Sequence, residues 1–258
     1  MQSSPPFANT FSVSRNFTKT MWIKLKPEVL GESNSINVNF LYKKDNIYVM
    51  DNHLSAAWCW LQEIDIEKRY DFIHIDRHYD LINRPEITKE NISDKNIDIT
   101  KLTFEEYINL VQDTEEKLNF VVKLFRWDNY IHHINNLFPN LFDKRMFITK
   151  KAGSKDDFVQ YEYEIEEFIN EFEYWIEDSK NGFIINLDLD YFFSRLNSKT
   201  VQLYSDETIK TVATLLKNKL RGIDVLTICL SPECCGGWEN SIRVLKIFED
   251  ILELELNI

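Results

Sequence analysis

The stretch YDFIHIDRHYD, residues 70–80, opens on apolar and aromatic residues and closes on Asp76, His78 and Asp80. Tyr70 to Ile75 read as a short buried strand. Residues at i, i+2 and i+4 of extended backbone point to the same side, so the two carboxylates and the imidazole face one cavity. The same grammar recurs. NIYVM (46–50) is followed by Asp51, Asn52 and His53, and FIINL (183–187) by Asp188, Leu189 and Asp190. A strand over 223–230 is followed by Ser231, Pro232 and Glu233. Amphipathic helices are expected between these strands, at 54–64, 128–138 and 162–178, with a helical stretch near 103–124. A further helix is expected over 207–221, capped by Asp206 and ended by Gly222 in a left-handed conformation, and a last one over 238–254. Early strands are expected at 21–26 and 36–43, another at 145–149, and residues 84–102 read as a polar surface loop. Strands alternating with helices predict an α/β fold whose mainly parallel sheet is flanked by helices, with its chemistry beyond the carboxyl ends of the strands.

The composition bounds the rest. The chain has 258 residues, and its 30 Lys+Arg against 42 Asp+Glu leave a formal charge of −12. With 44% hydrophobic and 14% aromatic residues it can fill a core, which excludes a mainly disordered chain. An acidic balance argues against a nucleic-acid partner and suits a cationic substrate or bound metal cations. Only 6 glycines are present, so glycine-rich phosphate cradles are disfavoured. No apolar run approaches a membrane span, and the N-terminus lacks the pattern of a signal peptide. Its first 27 residues carry no acid, a weak transit-peptide feature, and the first 20 are expected to be loose. Cys59, Cys229, Cys234 and Cys235 make no CxxC spacing, and two are adjacent, which points to reduced thiols and a cytoplasmic protein.

The acid pairs carry the chemistry. A single Asp-x-Asp is commonly a turn cap. Two sets that end different buried strands place like charges together, which repel and are costly to bury. A divalent cation relieves both problems. His53, Asp76, His78, Asp80, Asp188 and Asp190 are too many ligands for one zinc, which takes three or four, and fit two ions bridged by shared carboxylates. The oxygen-rich set with two imidazoles favours Mn²⁺. Two such ions about 3.5–4 Å apart can share a water and bring its pKa toward neutrality.

The order of DNHLSA (51–56), DRHYD (76–80), NLDLDYF (186–192) and SPECCGG (231–237) resembles the arginase (ureohydrolase) superfamily. Within it, the chain is most similar to the atypical peptide arginases of ribosomal-peptide biosynthesis. The resemblance spans residues 46–240. It implies a single three-layer arginase-like domain over 1–258. Residues 84–125 are open to three readings, a lid, a peptide-docking insertion or packing. It further implies two Mn²⁺ per chain held by the six residues above, Asp76 and Asp188 bridging, with Glu233 receiving a guanidinium. The chain departs from the family where Val49-Met50 replace the glycines before the first motif and Tyr191-Phe192 replace an Asp-Pro. After Asp80 it lacks the histidine proton shuttle and the serine-rich loop that holds an amino-acid carboxylate. The expected activity is therefore hydrolysis of arginine side chains within a peptide, giving ornithine and urea, rather than of free arginine. A hydroxide bridging the ions would attack the guanidinium carbon, Glu233 would pair with the nitrogens, and Asp80 would carry a proton to the departing amine.

Three alternatives stand beside it. A zinc deacetylase-like hydrolase would use Asp76, His78 and Asp188. A binuclear phosphoesterase lacks its later Gly-Asp and Gly-Asn-His signatures here. A non-catalytic binding protein would keep the metal site as a staple. His132 and His133 read as helix packing rather than a replacement shuttle, and Trp58, Trp60 and Trp127 as core rather than cleft wall. Gly236-Gly237 suits either a close ligand approach or a turn.

Overall fold

The structure is a computed structural model of the chain, and it describes residues 20–34, 36–113, 122–256 and 258. The strands are β1 (Thr20–Lys24), β2 (Leu41–Lys44), β3 (Ile47–Met50), β4 (Tyr70–His78), β5 (Phe142–Ala152), β6 (Tyr161–Tyr163), β7 (Gly182–Asp188), β8 (Phe193–Leu196), β9 (Lys199–Gln202) and β10 (Val225–Cys229). The helices are α1 (Ala56–Glu63), α2 (Pro85–Thr88), α3 (Phe104–Ile108), α4 (Tyr130–Leu137), α5 (Ile165–Asp178), α6 (Asp206–Lys219), α7 (Pro232–Cys235) and α8 (Trp238–Leu252). An eight-stranded sheet in the order β1-β2-β3-β10-β7-β4-β5-β6 forms the middle layer. From β3 to β6 every neighbouring pair is parallel, and β1 and β2 extend the sheet antiparallel beside β3. β8 and β9 form a separate hairpin. This is an α/β architecture with a mainly parallel central sheet between two helical layers, as the alternating pattern predicts.

The strands are apolar because both faces are covered. Along β7, Phe183, Ile185 and Leu187 face a core that includes Phe168 and Phe172 of α5, Val212 and Leu216 of α6, and Val244 and Phe248 of α8. Ile184 faces the opposite core, which includes Trp60 of α1 and Tyr130, Ile131 and Ile134 of α4. The connections explain the strand order. From β3 the chain passes over α1 to β4, three places away, and continues outward to β6. It then returns through α5 to β7 and through α6 to β10, filling the gap. The carboxyl ends of β3, β10, β7 and β4 thus become neighbours.

Several boundaries differ from the expected ones. The strand expected over 36–43 begins only at Leu41, because the Asn39 and Phe40 amides donate to the Asp51 carboxylate at 2.9 and 3.1 Å instead of to a ladder. Among the described residues the expected helix over 103–124 is limited to α3, opened by a Thr103–Glu106 capping box and followed by an antiparallel bridge between Val111 and Lys123. Residues 114–121 of that stretch lie outside the described residues. The segment 84–102 is not a bare loop, since short helical turns bury Thr88, Asn91, Ile92 and Ile99. Ser205, not Asp206, caps α6 by accepting from the Thr208 amide at 3.2 Å. Gly222 ends a 3-10 turn without a left-handed φ; a Cβ there would meet Ile176 at 2.9 Å. β4 runs three residues past Ile75, so Asp76 and His78 are strand residues rather than turn residues.

Candidate metal centre

Asp76 and His78 close β4, and Asp80 follows with a left-handed φ of 54°. Asp188 closes β7 and Asp190 sits on the 3-10 turn after it, where the Asp188 carboxylate accepts from the Asp190 amide at 2.8 Å. His53 begins the 3-10 turn after β3, whose cap is Asn52. Ser231, at φ 39°, turns the chain from β10 into α7 and carries Glu233. Left-handed backbone at two non-glycine residues costs roughly 1–3 kcal/mol each, a cost that persists where the surroundings fix the geometry.

The six residues expected to bind metal come together. His53 Nδ1 lies 3.2 Å from Asp76, 3.1 Å from Asp80 and 3.4 Å from Asp188. His78 Nδ1 lies 3.3 Å from Asp76 and 3.1 Å from Asp190. Asp76 therefore stands between the two imidazoles. Potential ligand atoms of His53, Asp76 and Asp80 all fall within 4.8 Å of one another, and so do those of Asp76, Asp188 and Asp190. Donors about 2.0–2.6 Å from a shared divalent ion span about that distance. The buried oxygens Asp76 Oδ2, Asp80 Oδ1 and Asp190 Oδ2 accept no hydrogen bond among the described residues; Asp76 Oδ2 and Asp190 Oδ2 meet imidazole nitrogens at 3.2 and 3.1 Å, and Asp80 Oδ1 is left without a partner. Buried carboxylate oxygens are rarely left so unless something else meets them. The donor set and the unpartnered Asp80 oxygen fit divalent cations.

The electrostatics agree. Burial and the Asp76 charge push Asp80 up to about 7. Burial, then the neighbouring carboxylates, raise Asp188 and Asp190. Burial also pushes at Asp76, but His53 and His78 outweigh it and hold that carboxyl well below its ordinary range. The imidazoles respond in kind. Burial alone would lower them, yet the Asp190 and Asp76 carboxylates beside it carry His78 to about 11, and Asp188, Asp76 and Asp80 raise His53. Protons and imidazolium charge here balance crowded carboxylates, the same work that metal cations perform.

His53, His78, Asp80, Asp188 and Asp190 line a cleft of about 310 Å³ together with Ser33, Asn34, Asp51, Asn52, Trp127, Ser231, Glu233 and Cys234, whereas Asp76 is fully buried and does not line it. A strap described over residues 31–34 and 36–39 contributes Ser33 and Asn34 to one wall. The Ser33 amide donates to Glu233 Oε1 at 2.5 Å, and its hydroxyl donates to the Asp51 carbonyl at 2.8 Å. Asn52 Nδ2 donates to the Asn37 carbonyl at 3.0 Å. Asp51 is thus a staple for the strap, and Glu233 is held with its carboxylate at the cleft.

Other expectations resolve differently. Trp127 is 40% exposed at the cleft, with its ring 6.0 Å from that of His78, so it is not core, whereas Trp58 and Trp60 are buried. His132 pairs with Asp156 at 2.7 Å, and His133 contacts Thr88 and the Leu124 carbonyl; neither lines the cleft. Gly236 and Gly237 make the turn between α7 and α8, and a Cβ on Gly236 would meet Thr200 at 2.8 Å.

A polar bed beneath the centre went unread. His74 Nε2 faces the His78 carbonyl at 3.2 Å and so carries the proton; Asn186 Nδ2 donates to its Nδ1 at 3.0 Å. Asn186 Nδ2 also reaches the Tyr130 hydroxyl at 3.0 Å, and Thr227 donates to Asn186 Oδ1 at 2.7 Å. Tyr130 in turn reaches Asp80 at 3.4 Å. The available signal was a polar residue inside an apolar strand, His74 in FIHI and Asn186 in FIINL.

Comparison with known proteins finds no family model that matches the chain and no curated relative that matches it. No helix among the described residues is long and apolar enough to cross a membrane.

Proposed function

We propose that the chain is an arginase-like, metal-dependent amidinohydrolase that converts arginine side chains of a peptide to ornithine and releases urea. One observation carries this reading: the ends of four adjacent strands bring six candidate metal ligands together, five of which line one cleft with Glu233. His53, Asp76, His78, Asp80, Asp188 and Asp190 would hold two divalent cations, Mn²⁺ by the oxygen-rich set. Such ions supply Lewis-acid activation of water at neutral pH.

The chain's own residues do the rest. Glu233 binds the guanidinium through charge-assisted hydrogen bonds, and the Ser33 amide fixes the carboxylate that makes them. Asp80 takes a proton from the attacking water and delivers it to the substrate nitrogen as the C–N bond breaks. The oxygen of water ends on urea, and the nitrogen stays on the peptide as the ornithine ammonium. Trp127 and the strap restrict water at the mouth. The peptide preference follows from charge. The cleft is lined by five carboxylates, and no Lys or Arg is among its lining residues. The α-carboxylate of free arginine would meet no lining Lys or Arg and would face those carboxylates, whereas a peptide presents neutral amides.

The test is incubation of the Mn²⁺-loaded protein with an arginine-containing peptide, beside free arginine, with urea and peptide mass as readouts. Urea and an ornithine-bearing peptide are expected. Urea from free arginine alone would overturn the peptide assignment, and no urea from either would overturn the amidinohydrolase reading.

A further inference from the structure

The cleft holds a donor that an oxygen and nitrogen centre does not include. Ligand atoms of His78, Asp190 and Cys234 lie within 4.8 Å of one another. Cys234 lies in α7 directly after Glu233 and lines the cleft. Its thiol makes no hydrogen bond among the described residues, whereas its carbonyl accepts from Arg77 at 3.4 Å and its amide donates to the Ser231 carbonyl at 2.9 Å. The second observation is on Asp190, whose side chain is fully buried and whose Oδ2 accepts no hydrogen bond; it meets only the charged nitrogens of His78, at 3.1 Å, and Arg77, at 3.6 Å. A thiol sulfur, a buried carboxylate and an imidazole thus come within reach of one ion. Cys229 is the contrasting case. It groups with His53 and Asp188, but it is buried in β10, lies 3.3 Å from the Ser231 hydroxyl and does not line the cleft.

We propose that Cys234 is a thiolate ligand to the ion held by His78 and Asp190, so that the two metal positions differ in chemistry. The position at His53 and Asp80 is built of nitrogen and oxygen; the position at His78 adds sulfur. The thiol proton leaves to solvent as the metal–sulfur bond forms. A thiolate moves the preference at this position from Mn²⁺ toward softer ions such as Zn²⁺, Co²⁺ or Fe²⁺. The assignment rests on the metal-centre reading above but not on the identity of the substrate.

Cobalt reports directly on sulfur. The full chain is stripped with a chelator, titrated with Co²⁺, and its absorption recorded in the near ultraviolet and visible. The wild type is expected to show a thiolate-to-cobalt charge-transfer band. Cys234→Ser is expected to lose that band while still binding Co²⁺, and Cys229→Ser to keep it. Bound Co²⁺ without the band in the wild type, or a band that survives in Cys234→Ser, overturns the ligand assignment and leaves the metal centre standing. Failure to bind Co²⁺ overturns both. Should Cys234→Ser not fold, cobalt-edge X-ray absorption of the wild type still decides. Sulfur at about 2.3 Å from the ion supports the assignment, and oxygen and nitrogen alone overturn it.

Discussion

Glu233 lines the cleft, Asp76 is buried, and the two do different work. Asp76 lies between two imidazoles, accepts from the His78 amide at 2.6 Å and belongs to the proposed metal set. Among the described residues Glu233 makes no hydrogen bond or ion pair to any of the six; its Oε1 is held by the strap through Ser33. Substituting Glu233 should therefore separate substrate binding from metal binding. Glu233→Gln keeps the volume but removes a charge-assisted pair worth about 2–3 kcal/mol, so kcat/KM for an arginine peptide should fall about 30- to 150-fold. Bound metal should be unchanged, and steady-state kinetics with elemental analysis of the variant reads both. The metal set was legible in the sequence because carboxylates placed just past apolar strands have few inexpensive explanations. Ser33 and Asn34 were not. They belong to a strap whose amides bond to side chains distant in sequence, and no periodicity marks such a partner.

Elements that bury a regular face were readable; those fixed by one-off contacts were not. β4, β7 and β10 alternate between two cores, and α5 and α8 present apolar residues at helical spacing, so each could be placed from the chain alone. The β8–β9 hairpin and three-residue β6 carry no such pattern, and α3 is a short helix started by its own capping box and followed by the bridge between Val111 and Lys123. The turns at 85–93 were read as surface loop because their anchor is tertiary: Thr88 meets His133 of α4 at 2.7 Å. That anchor is pH-sensitive. His133 Nε2 faces the Leu124 carbonyl, so it carries the proton, and Nδ1 accepts from the Thr88 hydroxyl, which leaves no site for a second proton. Burial accordingly lowers His133 to about 4. Against an unfolded value near 6.5, the native state resists protonation, so its contribution is complete above about pH 6.5 and lost as pH falls toward 4. Between pH 7 and 4.5 this histidine should cost about 2–3 kcal/mol. Denaturant unfolding of wild type and His133→Gln at both pH values checks it: the variant should lose less stability on acidification by that amount, and equal losses would contradict the assignment.

At the scale of the molecule, the net charge of −12 is partly a local property. Asp76, Asp80, Asp188, Asp190 and Glu233 meet at one sheet edge because the returning strands β7 and β10 insert between β3 and β4. Two divalent cations would bring the formal charge from −12 to −8, and the remaining field attracts a cationic peptide. The central claim is that this edge is built for a pair of ions. It is tested most directly by counting the ions bound per chain after equilibration with Mn²⁺, Co²⁺ or Zn²⁺ and removal of the excess. The account predicts two per chain in the wild type, falling in Asp188→Asn. A single zinc per chain would point instead to a mononuclear, deacetylase-like hydrolase, and no bound ion would contradict the metal centre altogether.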